Sequence, residues 1–376
     1  MAREIIIDNK NKSKKTSDSV QKKVKANEEA TLLKIENLWL QFSVGTQFNP
    51  KHKLIIRNAS FELKSGQVLG LIGESGSGKT VITNTLTGLN PSNKRIMSGS
   101  IFVNDIDVTN FNEEDWEESN LRGKFISQVF QNPLSTLNPT QKVGVQIIES
   151  MKINGLLDQG DDGFDKAVEY LNRVRINNPL EVMNMYPHQL SGGMMQRVVI
   201  VAILACNPRV IIFDEPTTAL DPSVQREIIE LINEIKVEFN IAMIFITHDI
   251  GLVSTVATHI AIMYAGKIIE YGKNSEILTS PAHPYTWGLL QSMPEISDGK
   301  RLYSIPGAVP ANLSKVKGDA FYPRNEFSIY MDAILSPPKF QLTPTHYVLS
   351  WLQSDKVAKI KKPDLIKNLE KRSKNG

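Results

Sequence analysis

The chain has 376 residues, 41% hydrophobic and 22% charged, with a formal net charge of +3, an ordinary globular balance that leaves one to three domains as the working range. A single cysteine, Cys206, excludes disulfides and thiolate clusters within the chain. The longest apolar run, residues 198–206, ends at Asn207-Pro208 and is far short of the roughly 20 residues that a bilayer-spanning helix needs.

Residues 1–30 are rich in Lys, Asn and Ser, with Ile5-Ile6-Ile7 as their only apolar cluster. They hold no signal-peptide core and cannot offset the entropy of ordering, so the expectation is a flexible tail on a protein that stays in the cytosol. Residues 32–35 and 38–42 read as strands, and 59–63 and 67–72 follow with a Lys64-Ser65-Gly66 turn between them. This is an antiparallel region feeding a buried strand. Between 112 and 185 the texture turns acidic, with Trp116, Ile147, Ile148, Val168, Leu171 and Val174 spaced for amphipathic helices, which reads as a helical insertion over about 112–200.

Residues 210–213 and 243–246 are short apolar runs flanked by helical patterns such as 224–239, the alternation of a parallel α/β sheet. One α/β unit is therefore expected over 31–275. Cys206, inside its apolar run, reads as a small buried side chain. Beyond Tyr271, prolines at 281, 284, 294, 306, 310, 323, 337 and 338 break any long helix, so 276–376 is expected as a separate extension. Its lysines crowd into 356–374, which reads as a second solvated basic tail and not a nucleic-acid-binding segment. No internal repeat is visible.

The chemistry concentrates at Gly73-Glu74-Ser75-Gly76-Ser77-Gly78-Lys79-Thr80, a G-x-x-x-x-G-K-[ST] loop placed after an apolar strand and opening a helix. Its glycines let successive backbone N–H groups converge on phosphate oxygens at a helix N-terminus. Lys79 supplies a point charge, and the Thr80 hydroxyl is placed to ligate Mg²⁺. Asp214 and Glu215 end the apolar strand 210–213. Alternation along a strand separates the two acids, so Asp214 reads as the metal-side carboxylate and Glu215 as the general base for an attacking water.

Leu190-Ser191-Gly192-Gly193-Met194-Met195-Gln196-Arg197 is a second Ser/Gly-rich helix start able to take a phosphate, which points to sites shared between subunits. It resembles the signature motif of the ABC ATPase family. Gln131 resembles that family's Q-loop glutamine, Ala219-Leu220-Asp221 its D-loop and Thr247-His248-Asp249 its switch-histidine motif, all in the family order. The resemblance implies a P-loop NTPase of ABC type, with a RecA-like parallel core, an antiparallel β subdomain and a helical subdomain. It implies that Leu190, Ser191, Gly192, Gly193 and Gln196 cap a partner's ATP, that Asp221 lies at the dimer interface, that Gln131 senses Mg²⁺, and that His248 bonds the γ-phosphate. An aromatic should stack on adenine; Phe42 is the first candidate and Phe48 the second. His188 and His283 carry no assigned role.

Within the family, the motifs above with Met263-Tyr264-Ala265-Gly266, His283-Pro284-Tyr285-Thr286 and Ile305-Pro306-Gly307 resemble the first of the two paired ATPases of oligopeptide and dipeptide permeases, over residues 32–324. That implies a peripheral motor at the cytoplasmic face of the membrane, pairing with a second homologous ATPase, two transmembrane permease subunits and an extracellular peptide-binding protein. An importer for another solute, such as nickel or a sugar, and a soluble ABC ATPase stay as alternatives. Many members carry cysteines around a Gly-x-x-Phe-x-Pro-Arg segment that hold an iron–sulfur cluster. Here Asp319 and Asn325 occupy those places, so no cluster is expected, and packing of Phe321, Tyr322, Phe327, Tyr330 and Trp351 is expected to replace it.

Overall fold

The computed structural model describes residues 30–46, 49–218, 220–293 and 303–375. The expected flexible tail up to residue 29, Phe48 and Ala219 lie outside the described residues. β1 (Thr31–Thr46) pairs antiparallel with β2 (Asn49–Lys64) on one side and β4 (Lys94–Val103) on the other. β5 (Ile106–Asp107) closes this four-stranded sheet. The runs 32–35 and 38–42 are one strand, interrupted at Asn37, whose positive φ of 47° accompanies a shift in register.

The second sheet has eight strands. Its parallel part has the order β9 (His259–Tyr264), β3 (Val68–Ile72), β8 (Ala242–Thr247), β7 (Val210–Asp214) and β6 (Ile126–Val129). Most residues of these strands are apolar because both faces are covered, with Ser127 and Gln128 of β6 as buried polar exceptions. Alternation sends Val68, Ile72, Ile211, Phe213, Met243 and Phe245 into one core and Leu69, Leu71, Val210, Ile212, Ile244 and Ile246 into the other. The first core lies under the helical layer. The second lies under the antiparallel sheet and α1 (Lys79–Leu86), which contributes Ile82 and Leu86.

The helical insertion expected over about 112–200 is not continuous: α2 (Glu113–Ser119), opened by an Asn112–Asp115 capping box, is followed by β6 of the main sheet at 126–129, and the helices resume with α3 (Val143–Ile153), α4 (Phe164–Arg173) and α5 (Pro179–Val182). α6 (Gly192–Leu204) and α7 (Pro222–Phe239) pack back onto the sheet, and α8 (Ile250–Ser254) follows β8. Among the described residues, no helix is long and apolar enough to cross a membrane.

The segment past Tyr271, expected as a separate extension, joins the main sheet. β10 (Lys267–Lys273) pairs antiparallel with β9, and β12 (Tyr347–Leu349) and β11 (Lys339–Gln341) extend that edge. α9 (Asn274–Thr279) and α10 (Pro284–Gln291) follow β10, and α11 (Tyr330–Ile334) precedes β11. Tyr285, Trp287, Leu313 and Phe321 sit in the larger core. Of the aromatics expected to hold this region, Phe321 is buried and Phe327 packs edge-on against Trp287. Tyr322 and Tyr330 instead face solvent, the latter 78% exposed. The basic tail is not a solvated coil. α12 (Asp364–Asn375) buries Ile366 and rests Leu365 and Leu369 on the core, an apolar stripe at helical spacing that the lysines mask in sequence.

Beside these apolar contacts, the extension is anchored by a buried polar cluster. Glu270, fully buried in β10, accepts from the N–H groups of Ala282 (2.7 Å) and His283 (3.0 Å) and from Thr286 Oγ1 (2.5 Å), and His346 Nε2 lies 2.8 Å from it. A buried carboxylate is tolerable only with such saturation. His283 caps α10, its Nδ1 accepting from Tyr285 N–H at 3.0 Å, and burial depresses its basicity, as that acceptor role requires. Asp319 and Asn325 each accept a hydrogen bond from the backbone two residues on, at Phe321 and Phe327.

Candidate nucleotide site

β3 delivers the chain into the loop 73–80, and α1 starts at Lys79. Gly78 sits at φ 105°, a conformation that a side chain disfavours, and a Cβ there would press on Ile56 at 2.8 Å. A Cβ on Gly73 would meet the Met263 carbonyl at 2.2 Å, so the loop lies against the end of β9. Ser77 Oγ is buried beneath the loop without a partner among the described residues.

Lys79 is only 5% exposed, and its Nζ donates to the carbonyls of Gly73 (2.7 Å) and Glu74 (3.2 Å). Burial lowers its pKa, and the charges of Glu215, Asp214 and Glu74 oppose that. Among the described residues no carboxylate forms an ion pair with Lys79. A buried ammonium held by neutral carbonyls remains available to an anion, which fits a polyphosphate.

Thr80 Oγ1 donates to Asp214 Oδ1 at 3.3 Å. Asp214 is 6% exposed, and burial raises its pKa. A hydroxyl and a carboxylate converging in this way are hard oxygen donors that fit Mg²⁺, whose charge would offset the burial cost. Glu215 stands one residue past the strand end at φ 48°, a conformation that is strained for a non-glycine residue. The turn, rather than strand alternation alone, aims it away from Asp214. Its Oε2 accepts from Gln131 Nε2 (3.2 Å) and Thr218 Oγ1 (3.0 Å), and His248 Nδ1 lies 3.6 Å away. The residues expected as the catalytic set, Glu215, His248 and Gln131, are thus brought together, and Gln131 meets Glu215 rather than Asp214.

These groups border a cavity of about 870 Å³ that also reaches Ser75, Gly76, Gly78 and Thr80. Lys53, Leu54 and Ile55 of β2 form one wall and Val309, Pro310, Ala311 and Leu313 another. Phe42 is not among the lining residues; it faces Lys53 and Lys94 across the antiparallel sheet and packs partly buried on the smaller core. A second cavity of about 800 Å³, lined by Lys34, Glu36, Tyr271 and Tyr347, holds none of the phosphate-loop groups.

The signature residues lie elsewhere. Ser191 caps α6 by accepting from Met194 N–H at 3.3 Å, Leu190 and Gln196 are buried, and a Cβ on Gly193 would meet Val224 of α7 at 2.8 Å. None of Leu190, Ser191, Gly192, Gly193 or Gln196 lines the cavity. Asp221 caps α7, accepting from Ser223 and Val224 N–H at 3.1 Å. His188 stacks on Tyr186. Cys206 Sγ bonds to Ala202 O at 3.3 Å, and burial pushes its thiol up to about 11.

Sequence reasoning missed Thr218 and the wall 309–313. It also missed two groups that hold the phosphate loop from the far end of the chain, Tyr285 and Arg324. The available signal was Glu74, an acid inside the loop, which Arg324 pairs in the structure.

Together the parallel core, the antiparallel sheet and this site define an ATP-binding cassette of the ABC type. Residues 56–218 match the family described as ABC transporter, and residues 269–329 match the one described as oligopeptide/dipeptide transporter, C-terminal region. The chain is 44% identical to the dipeptide transport ATP-binding protein DppD of Lactococcus lactis subsp. cremoris, over 83% of this chain and 89% of that one. It is 43% identical to the oligopeptide transport ATP-binding protein AmiE of Streptococcus pneumoniae (87% and 92%) and 42% identical to OppD of Bacillus subtilis (83% and 87%). The fold matches the dimeric post-hydrolysis structure of the ATP-binding cassette MJ0796 bound to ADP and Pi, with TM-score 0.55 and 24% identity over 64% of this chain and 98% of that one. The chain belongs to the family of ATP-binding proteins of oligopeptide and dipeptide ABC transporters.

Proposed function

We propose that the chain is the motor subunit of a peptide importer, hydrolysing ATP in a head-to-tail pair with a second homologous ATPase. The observation that carries the peptide reading is the match of residues 269–329 to the oligopeptide/dipeptide C-terminal region, in a chain similar along most of its length to peptide transport subunits. Loop 73–80 binds the phosphates, with Lys79 on the terminal groups. Thr80 and Asp214 would hold Mg²⁺, which supplies charge neutralisation of the phosphates when bound. Glu215 accepts a proton from the attacking water as that water's oxygen bonds to the γ-phosphorus and ADP leaves. Gln131 and Thr218 keep its carboxylate oriented, and His248 reaches toward the transferred phosphate.

Ser191 and the signature helix start, which lie outside their own chain's cavity, cap the partner's nucleotide, with Asp221 at the shared interface. The pair sits on two membrane subunits at the cytoplasmic face, which receive peptide from an extracellular binding protein. Reconstitution with those subunits in vesicles tests this reading. Uptake of peptide that requires ATP on the motor side is expected. ATP-driven uptake of nickel or a sugar with no movement of peptide would contradict it.

A further inference from the structure

Glu74 is an acid inside a loop whose task is to gather an anion. Its carboxylate borders the cavity, remains about a third exposed (31%), and is one of three negative charges acting on Lys79. Arg324, 250 residues further along the chain, grips it with both arms of its guanidinium: Nη1 donates to Oε2 at 2.9 Å and Nη2 to Oε1 at 3.0 Å. The guanidinium is itself fixed. Its Nε donates to Pro306 O at 2.6 Å, Nη1 also reaches Tyr264 Oη at 3.2 Å, and the group lies over the Tyr264 and Phe321 rings at 5.7 and 5.9 Å. The Glu74 backbone is held from the same side, its N–H donating to Tyr285 Oη at 2.9 Å.

We propose that Arg324 is a positioning residue of the nucleotide site, neutralising Glu74 and fixing the first turn of the phosphate loop, so that the C-terminal extension is part of the ATP-binding apparatus. The proposal rests on the reading that residues 73–80 bind ATP. Without Arg324, the freed carboxylate competes with phosphate for Lys79 and repels the incoming anion. A lysine could not replace the fork, because the bidentate geometry and the ring contacts both need a planar cation. The extension also contributes the cavity wall at Val309, Pro310, Ala311 and Leu313, so it lends apolar surface to the same cavity that Glu74, held by Arg324, borders.

The test is equilibrium binding of Mg·ATP to the full chain at low and high salt, with thermal unfolding of each nucleotide-free variant as a fold control. Arg324→Met is expected to weaken binding by about 10-fold or more, the scale of breaking a charge-paired contact. Arg324→Met with Glu74→Gln, which removes both charges, is expected to recover most of that loss. Glu74→Gln alone leaves a cation beside the loop and is expected to tighten binding by about threefold at low salt, an effect that fades as salt screens it. This variant keeps the test readable if Arg324→Met fails to fold. Unchanged binding by Arg324→Met, a double variant as weak as the single one, or weaker binding by Glu74→Gln would each overturn the proposal. A parental chain that fails to bind Mg·ATP at all would overturn the ATP reading beneath it.

Discussion

Glu215 holds a left-handed backbone conformation at the end of β7, and its Oε2 gathers Gln131, Thr218 and His248. Such strain costs on the order of 1–3 kcal/mol and persists where surrounding contacts enforce it. Glu215→Gln should keep its hydrogen-bonding shape and Mg·ATP affinity but lose the proton acceptor, so turnover should fall by roughly 10²- to 10⁴-fold. Lys79→Ala should instead weaken binding, because it removes the buried ammonium. Comparing nucleotide affinity with single-turnover hydrolysis separates the two effects, and parental hydrolysis by Glu215→Gln would move the base role to another residue. The phosphate loop and the Asp214-Glu215 pair were legible in sequence because each is one short contiguous segment at a strand end. Phe42 was not placed by the same reasoning, since the register of β1 against β2 decides what faces the cavity.

At the level of elements, β3, β7 and β8 were readable because burial on both faces makes them almost uniformly apolar, whereas β6, whose centre is Ser127-Gln128, was read into the helical insertion and β9 was not read as a strand. β4 went unread: its sequence is broken by Gly99 and carries exposed polar residues, and long-range pairing with β1 along most of its length makes it a strand. The HPYT segment, legible only as a family mark, has a physical role in the structure. His283 caps α10, Tyr285 holds the phosphate loop, and Thr286 joins the saturated shell around Glu270. Removing that carboxylate strands buried donors from Ala282, His283 and Thr286. Glu270→Ala should therefore destabilise the fold by on the order of 3–5 kcal/mol, visible as a melting temperature lower by about 10 °C. A shift of less than about 2 °C would show that the shell relaxes around its loss and does not anchor the extension.

Across the whole molecule, contacts between residues more than 200 positions apart decide how the extension meets the catalytic site. Arg324 with Glu74 and Tyr285 with the Glu74 N–H tie the last third of the chain to its first, and no local pattern announces such a pairing. The opposite holds for the signature helix. Its motif was plain in sequence, and the structure places it away from the cavity of its own chain, at an exposed cap on α6. On the function proposed above, this helix start is completed by the nucleotide of a second ATPase. The most direct measurement is steady-state Mg·ATP hydrolysis by the full chain alone, kept monomeric by dilution, and then with the homologous partner ATPase added. The two-chain site predicts a low rate for the isolated chain and a rise of an order of magnitude or more once the partner is present; full activity in the strictly monomeric protein would contradict it.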